Sequence, residues 1–218
     1  MEADFWLQRW QEGRTGFHRA EVMPLLEKYW LALGVPAGGR VFVPLAGKTL
    51  DMHWLAARGM QVLGGELSAL AVDAFFAEAG LAPDVSEDLD GVHHRAGAID
   101  LVRGDVFALS AATLGAMDAV YDRAALIALP PVMRRRYVAE VYGKLPRGCR
   151  GLLITLEYPQ AQMDGPPFSV GEAEVRELFA QDWAVELLER KDILAHEPRF
   201  SDDGLTALAT AVYRLQRG

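Results

Sequence analysis

Few residues in this chain combine a reactive type with a telling position, and the clearest is a glutamate. Glu66 closes the apolar run Gln61-Val62-Leu63-Gly64-Gly65 and stands about 20 positions after Gly47, in the small-residue turn Ala46-Gly47-Lys48. At the carboxyl edge of a parallel sheet, a carboxylate so placed accepts hydrogen bonds from both hydroxyls of a ribose. The turn argues against a pyrophosphate, whose cradle needs G-x-G-x-x-G where this chain offers Gly47 alone. A P-loop fails too, because Phe42 occupies the place of its first glycine. The ligand left is adenosine without phosphates. Arg123 follows the apolar run Met117-Asp118-Ala119-Val120-Tyr121, and Arg199 lies in a polar loop, His196 to Gly204. A guanidinium is always charged and holds fixed donors, so Arg123 either clamps an anionic group or pairs with Asp122 or Glu157. No metal site is expected: the five histidines lack ligand spacing, and the adjacent His93 and His94 point apart on either regular element.

The elements that must position these groups are legible in the periodicity. Val41-Phe42-Val43-Pro44-Leu45 reads as a strand buried on both faces, Thr49 to Ala57 as a helix capped by Thr49 and ended by Gly59, and residues 61–66 as a second strand. A helix over Ala69–Glu78 follows. The acidic stretch Asp84–Asp90 has no core pattern and reads as a surface loop. Ala98–Val102 is a third strand, and Asp105 just past it either approaches an adenine amino group or does surface-loop or N-cap duty. The fourth strand runs into Arg123, a helix spans Pro131–Lys144, and the fifth strand is Gly151–Glu157. Gly165-Pro166-Pro167 fixes a loop presenting Phe168, and Ser169 with Glu172 forms a capping-box pattern. Two strand-like runs, Ala184–Leu188 and Leu205–Leu215, close the chain. The prediction is a three-layer α/β, Rossmann-like fold of the class I methyltransferase kind, with seven mostly parallel strands and helices on both faces. That architecture binds S-adenosylmethionine, an adenosine ligand without phosphates.

Before the first strand, residues 3–12 predict a helix with Trp6 and Trp10 on one face, and residues 21–33 a second. Between them Gly13-Arg14-Thr15-Gly16-Phe17-His18 suits a lid, residues 1–20 forming its segment; the alternative is a staple onto the domain, which suits Trp6 better than Trp10, the latter abutting the lid stretch. Residues 1–218 are expected to be one domain, since 218 residues with 51% hydrophobic content suffice for one full core. A net charge of −8 argues against nucleic acid or an anionic membrane as partner. The basic cluster Arg134-Arg135-Arg136 reads as a solvated helix face. A single cysteine, Cys149, and the lack of a signal-like or membrane-spanning run point to a cytoplasmic protein, expected to be a monomer.

Taken in order, FWLQRWQEGRTGFH, VFVPLAGKTLDMHWLAARG, VLGGELS, VYDRAAL and GPPFSV resemble the thiopurine S-methyltransferase family, from near residue 5 to the end. The resemblance implies a methyl transfer from S-adenosylmethionine to the sulfur of a small aromatic or heterocyclic thiol, leaving S-adenosylhomocysteine and a methyl thioether. Selenium and tellurium compounds, halide or thiocyanate are alternative acceptors. Carried over by position, it implies cofactor contacts at Trp10, Leu45, Glu66 and Arg123, with Asp105 and Val106 beside the adenine. Phe17 then faces the acceptor, with Phe168 as a further apolar wall, and Arg199 joins Arg123 near the reacting sulfur. No general base is expected, His18 being the first group to test if one exists. A nicotinamide-dependent oxidoreductase would share the strand-end carboxylate but needs the missing glycine fingerprint. A non-catalytic sensor of the cofactor would form no thioether.

Overall fold

The computed structural model describes residues 3–218. Five parallel strands form its centre: β1 (Arg40–Val43), β2 (Gln61–Glu66), β5 (Ile99–Arg103), β6 (Ala119–Arg123) and β7 (Arg150–Glu157). A hairpin of β3 (Asp84–Asp88) and β4 (Gly91–Ala96) adds antiparallel to β5, and β8 (Trp183–Asp192) and β9 (Ala209–Arg217) add antiparallel to β7. The order across the nine-stranded sheet is β3-β4-β5-β2-β1-β6-β7-β9-β8. Nine strands therefore replace the expected seven. The two additional ones are the acidic stretch read as a loop and the strand it folds back on, and every residue of β3 is exposed. An edge strand wet on both faces carries no apolar alternation, and its acidic residues are the kind that discourage edge pairing.

Side chains alternate across the central strands, so each face acquires its own core. Val41, Val43, Val62, Leu101 and Tyr121 pack with α2 (Pro24–Tyr29), α3 (Asp51–Ala57) and α4 (Ala69–Glu78). Phe42, Leu63, Val120 and Leu153 pack with α5 (Ala111–Leu114), α6 (Pro131–Glu140) and α7 (Glu172–Phe179). The remaining helices are α1 (Ala3–Gln11), beside α4, and α8 (Pro198–Asp202) in the loop before β9. Among the described residues no helix is long and apolar enough to cross a membrane.

Two local expectations are corrected. The helix after the Phe168 loop starts at Glu172 with Gly171 as its cap, because the Ser169 hydroxyl instead accepts the Tyr158 N–H at 3.0 Å and Glu172 pairs with Arg176 and Arg190. The arginine run is not wholly solvated: Arg135 and Arg136 are outside, but Arg134 is 1% exposed.

Candidate active site

Chain order jumps at the centre of the sheet, where β1 lies between β2 and β6, and this switch point leaves a crevice beyond the carboxyl ends of the strands. Glu66 ends β2 there, 7% exposed. Its Oε2 accepts the Gly47 N–H at 2.7 Å and its Oε1 the Ser68 N–H at 2.7 Å. Burial pushes the Glu66 carboxyl above its ordinary range, while the N–H groups of Ser68, Gly47 and Leu67 oppose the shift. Gly47 itself has φ +55°, and a Cβ on it would lie 3.3 Å from Trp10 Cζ2. Only glycine suits both the backbone and the indole laid across it.

A small cavity of about 30 Å³ opens beside this turn, lined by Phe17, His18, Leu45 to Thr49, Asp51, Tyr121, Arg123 and Ala124, among others. It has room for a water molecule or two, against the roughly 300 Å³ or more of a typical ligand cleft. Leu45 (φ 45°) and Ala124 (φ 66°) are non-glycine residues in the left-handed region, one just beyond β1 and the other just beyond β6. Such strain persists where surrounding structure dictates it, often at ligand sites.

The segment after α1 closes the crevice. Phe17 meets Trp6 and Trp10 edge to face at 5.7 and 5.5 Å. Arg123 reaches the Phe17 carbonyl at 3.4 Å through one terminal nitrogen, and Arg199, on α8, donates to the Gly16 carbonyl at 2.6 Å. The two arginines thus grip consecutive carbonyls of one loop. Neither alternative partner takes Arg123. Asp122 faces the opposite side of the sheet, fully buried, accepting from the Tyr137 and Tyr142 hydroxyls at 2.8 and 2.9 Å and from the Leu126 N–H at 3.1 Å. Burial raises its pKa, and those donors pull it back. Glu157 is bound by Arg190 at 2.9 and 3.1 Å.

The cavity gathers Leu45, Phe17 and Arg123 from the predicted set; Glu66 and Trp10 meet its Gly47, and Arg199 stands further out, on the carbonyl of Gly16 next to Phe17. Asp105, Val106 and Phe168 do not line it. Asp105 is exposed and accepts the Phe107 N–H at 3.0 Å, Val106 is buried beneath, and the adjoining Gly104 N–H bonds to the Glu66 carbonyl at 2.9 Å. Phe168 is tied to the segment after β6 by its N–H, 2.7 Å from the Ile127 carbonyl.

A sequence profile of the thiopurine S-methyltransferase family matches residues 1–218. The chain belongs to the thiopurine S-methyltransferase family. It is 61% identical over 217 residues to the thiopurine S-methyltransferase of Bordetella parapertussis, covering 100% of this chain and 99% of that protein. Identity to that of Nitrosomonas eutropha is 60% over 217 residues, with the same coverage. Among solved structures, the chain resembles an Anabaena variabilis SAM-dependent methyltransferase with TM-score 0.68 at 12% identity, covering 99% of this chain and 95% of that one. It also resembles the Burkholderia thailandensis 1,6-didemethyltoxoflavin-N1-methyltransferase with bound S-adenosylhomocysteine, with TM-score 0.64 at 17% identity over 98% of this chain and 87% of that one. These likenesses confirm the predicted fold.

This thiopurine S-methyltransferase family member also has site residues the sequence did not single out. Asp51, inside the helix predicted over Thr49 to Ala57, is 1% exposed and accepts from the Tyr121 hydroxyl and the Met23 N–H, each at 2.8 Å. It fastens the far end of the closing segment to β6. Lys48, read only as part of the turn, lines the cavity and pairs with Glu78 on α4. His18, already named from the sequence as the first base candidate, lies against the same space, and burial, with Lys48 and Arg123 nearby, holds its pKa below 6.5 against the pull of Glu78 and Asp51.

Proposed function

We propose that the protein transfers a methyl group from S-adenosylmethionine to the sulfur of aromatic or heterocyclic thiols, thiopurines among them, with the whole chain acting as one catalytic unit and residues 1–20 as its lid. The observation that carries the reading is Glu66, a buried carboxylate beside the Gly47 turn at the switch point. Each carboxylate oxygen accepts one backbone N–H at 2.7 Å, and with the Leu67 N–H also turned toward the group, acceptor capacity remains for the hydroxyls of a ribose. These acceptors fit the hydroxyl donors of an uncharged diol, and the turn offers no pyrophosphate cradle.

Glu66 would hold the ribose, Leu45 and Trp10 flank the cofactor, and Asp105 with Val106 border the adenine. Bound S-adenosylmethionine supplies a methyl group on a positively charged sulfur. The residues of the chain then have three tasks. Trp10, Phe17 and Phe168 wall the acceptor and exclude water, Arg123 and Arg199 favour its thiolate form, and the closed segment holds it in line at near-attack distance. An acidic heterocyclic thiol gives up its proton to solvent beforehand, so no enzyme base is required. The cavity of about 30 Å³ is too small for either ligand, which supports a closing segment that withdraws to admit them as Arg123 and Arg199 release the Phe17 and Gly16 carbonyls.

Incubation with methyl-labelled cofactor and an aryl thiol tests the reading, the expected result being a labelled methyl thioether. No transfer to any thiol, with selenols or tellurium compounds accepted instead, would move the assignment to the alternative acceptors. Binding of the cofactor without transfer to any acceptor would make the protein a sensor.

A further inference from the structure

Arg134 is a charged side chain with no role in the site described above, yet it is 1% exposed. Its Nε donates to the Leu129 carbonyl at 2.9 Å, and one terminal nitrogen meets the Ser169 carbonyl at 3.4 Å and Glu174 Oε1 at 2.6 Å. Its guanidinium carbon lies 5.9 Å from the centre of the Phe168 ring. One rigid fork therefore joins three pieces of chain: the segment leaving β6 six residues after Arg123, the Gly165–Ser169 loop, and α7. Stability alone is a weak reason to keep it, because a buried ion pair is often no better than well-packed apolar residues of similar volume. Burial pulls its pKa down, with Glu174 opposing. What an apolar side chain could not do is fix the distance between two loops through directed donors.

In the proposed reading, both loops border the acceptor. Phe168 packs back onto Gly165, where a Cβ would stand 2.6 Å from its ring, and its N–H bonds to Ile127, on the same segment that Arg134 holds at Leu129. The Tyr158 hydroxyl fixes the other side of the loop through the Pro167 carbonyl at 2.5 Å. We infer that Arg134 is a positioning residue for the acceptor: it sets where the Phe168 wall stands relative to Arg123, and so how large an aromatic ring fits between them. The inference rests on the reading of Phe168 as an acceptor wall.

The test is a double-mutant cycle of Arg134→Met and Phe168→Ala, reading KM and kcat for an aryl thiol, the Kd for S-adenosylhomocysteine and the melting temperature. Acting through Phe168, Arg134→Met raises the thiol KM by about fivefold or more, leaves the S-adenosylhomocysteine Kd within about twofold, and adds less than about twofold once Phe168 is already alanine. Glu174 is partly exposed and can turn to water, so the methionine variant should keep its fold. If it does not, Arg134→Lys, which keeps the charge without the fork, carries the same cycle. A thiol KM that is unchanged, or an effect that simply multiplies with that of Phe168→Ala, overturns the positioning role while leaving Phe168 as a wall. If Phe168→Ala itself leaves KM unchanged, the wall reading falls and the inference with it.

Discussion

Replacing Glu66 by glutamine keeps the shape of the side chain and removes its charge and one acceptor oxygen. In the native protein each oxygen accepts one backbone N–H at 2.7 Å, from Gly47 and from Ser68. The amide can satisfy only one of them, since its NH2 meets the other donor to donor. One buried N–H is orphaned, which costs about 1–3 kcal/mol of stability. Losing a charged acceptor for the ribose costs a further effect of about 1.5–3 kcal/mol in binding, or roughly 10- to 150-fold in affinity. Calorimetry with S-adenosylhomocysteine and urea unfolding without ligand separate the two effects. The pH dependence adds a third check. Burial holds the Glu66 pKa above 4.5, so the folded chain keeps a proton that the unfolded chain has lost. Its contribution to stability therefore declines as pH rises from 4.5 through the folded value, and Glu66→Gln lacks that slope. Unchanged affinity with reduced stability would make Glu66 an organiser of the turn and not a ribose acceptor, and would refute the reasoning.

Hydrogen exchange in residues 3–22 should slow when cofactor and a methyl-thioether product bind, and exchange already slow in the free protein and indifferent to ligand would make the segment fixed packing. The kcat/KM of three aryl thiols should rise with pH along each thiol's own titration, and Arg123→Met should harm the least acidic thiol most; a single inflection shared by all three would mean a titrating enzyme group, with His18 the first candidate. Because the His18 pKa is held below 6.5, the unfolded chain binds the extra proton first, so this group's contribution to stability is present above 6.5 and is lost as pH falls through the window beneath it. His18→Gln should flatten that part of a urea-stability profile, and an identical profile would place His18 in solvent.

What the sequence made legible was local. Glu66 and the Gly47 turn fall within one strand-helix-strand unit, so spacing alone located them, and Arg123 was marked by the strand it ends. The pairings that give other residues their roles span the chain. Asp51 meets Tyr121 and Arg134 meets Glu174 only after the sheet is assembled, and in sequence both look like ordinary helix residues. Consecutive arginines spread around a helix, so one of three turned inward, and no periodicity said which. The hairpin of β3 and β4 was hidden for the opposite reason, an edge strand with no buried face. Ser169 and Glu172 had the spacing of a capping box, but the hydroxyl found a tertiary partner in Tyr158.

Leu45 and Ala124 leave a mark that a selection experiment can read. A left-handed conformation costs a side-chain-bearing residue about 1–2 kcal/mol relative to its relaxed form, and glycine escapes that cost. Libraries of this gene passed through heat challenge alone should therefore drift toward glycine at 45 and 124. Libraries held to methyl transfer at each round should keep the side chains if they shape the crevice. Comparing the two populations would map the border of the site without a ligand, as the set of positions where survival and turnover ask for different residues.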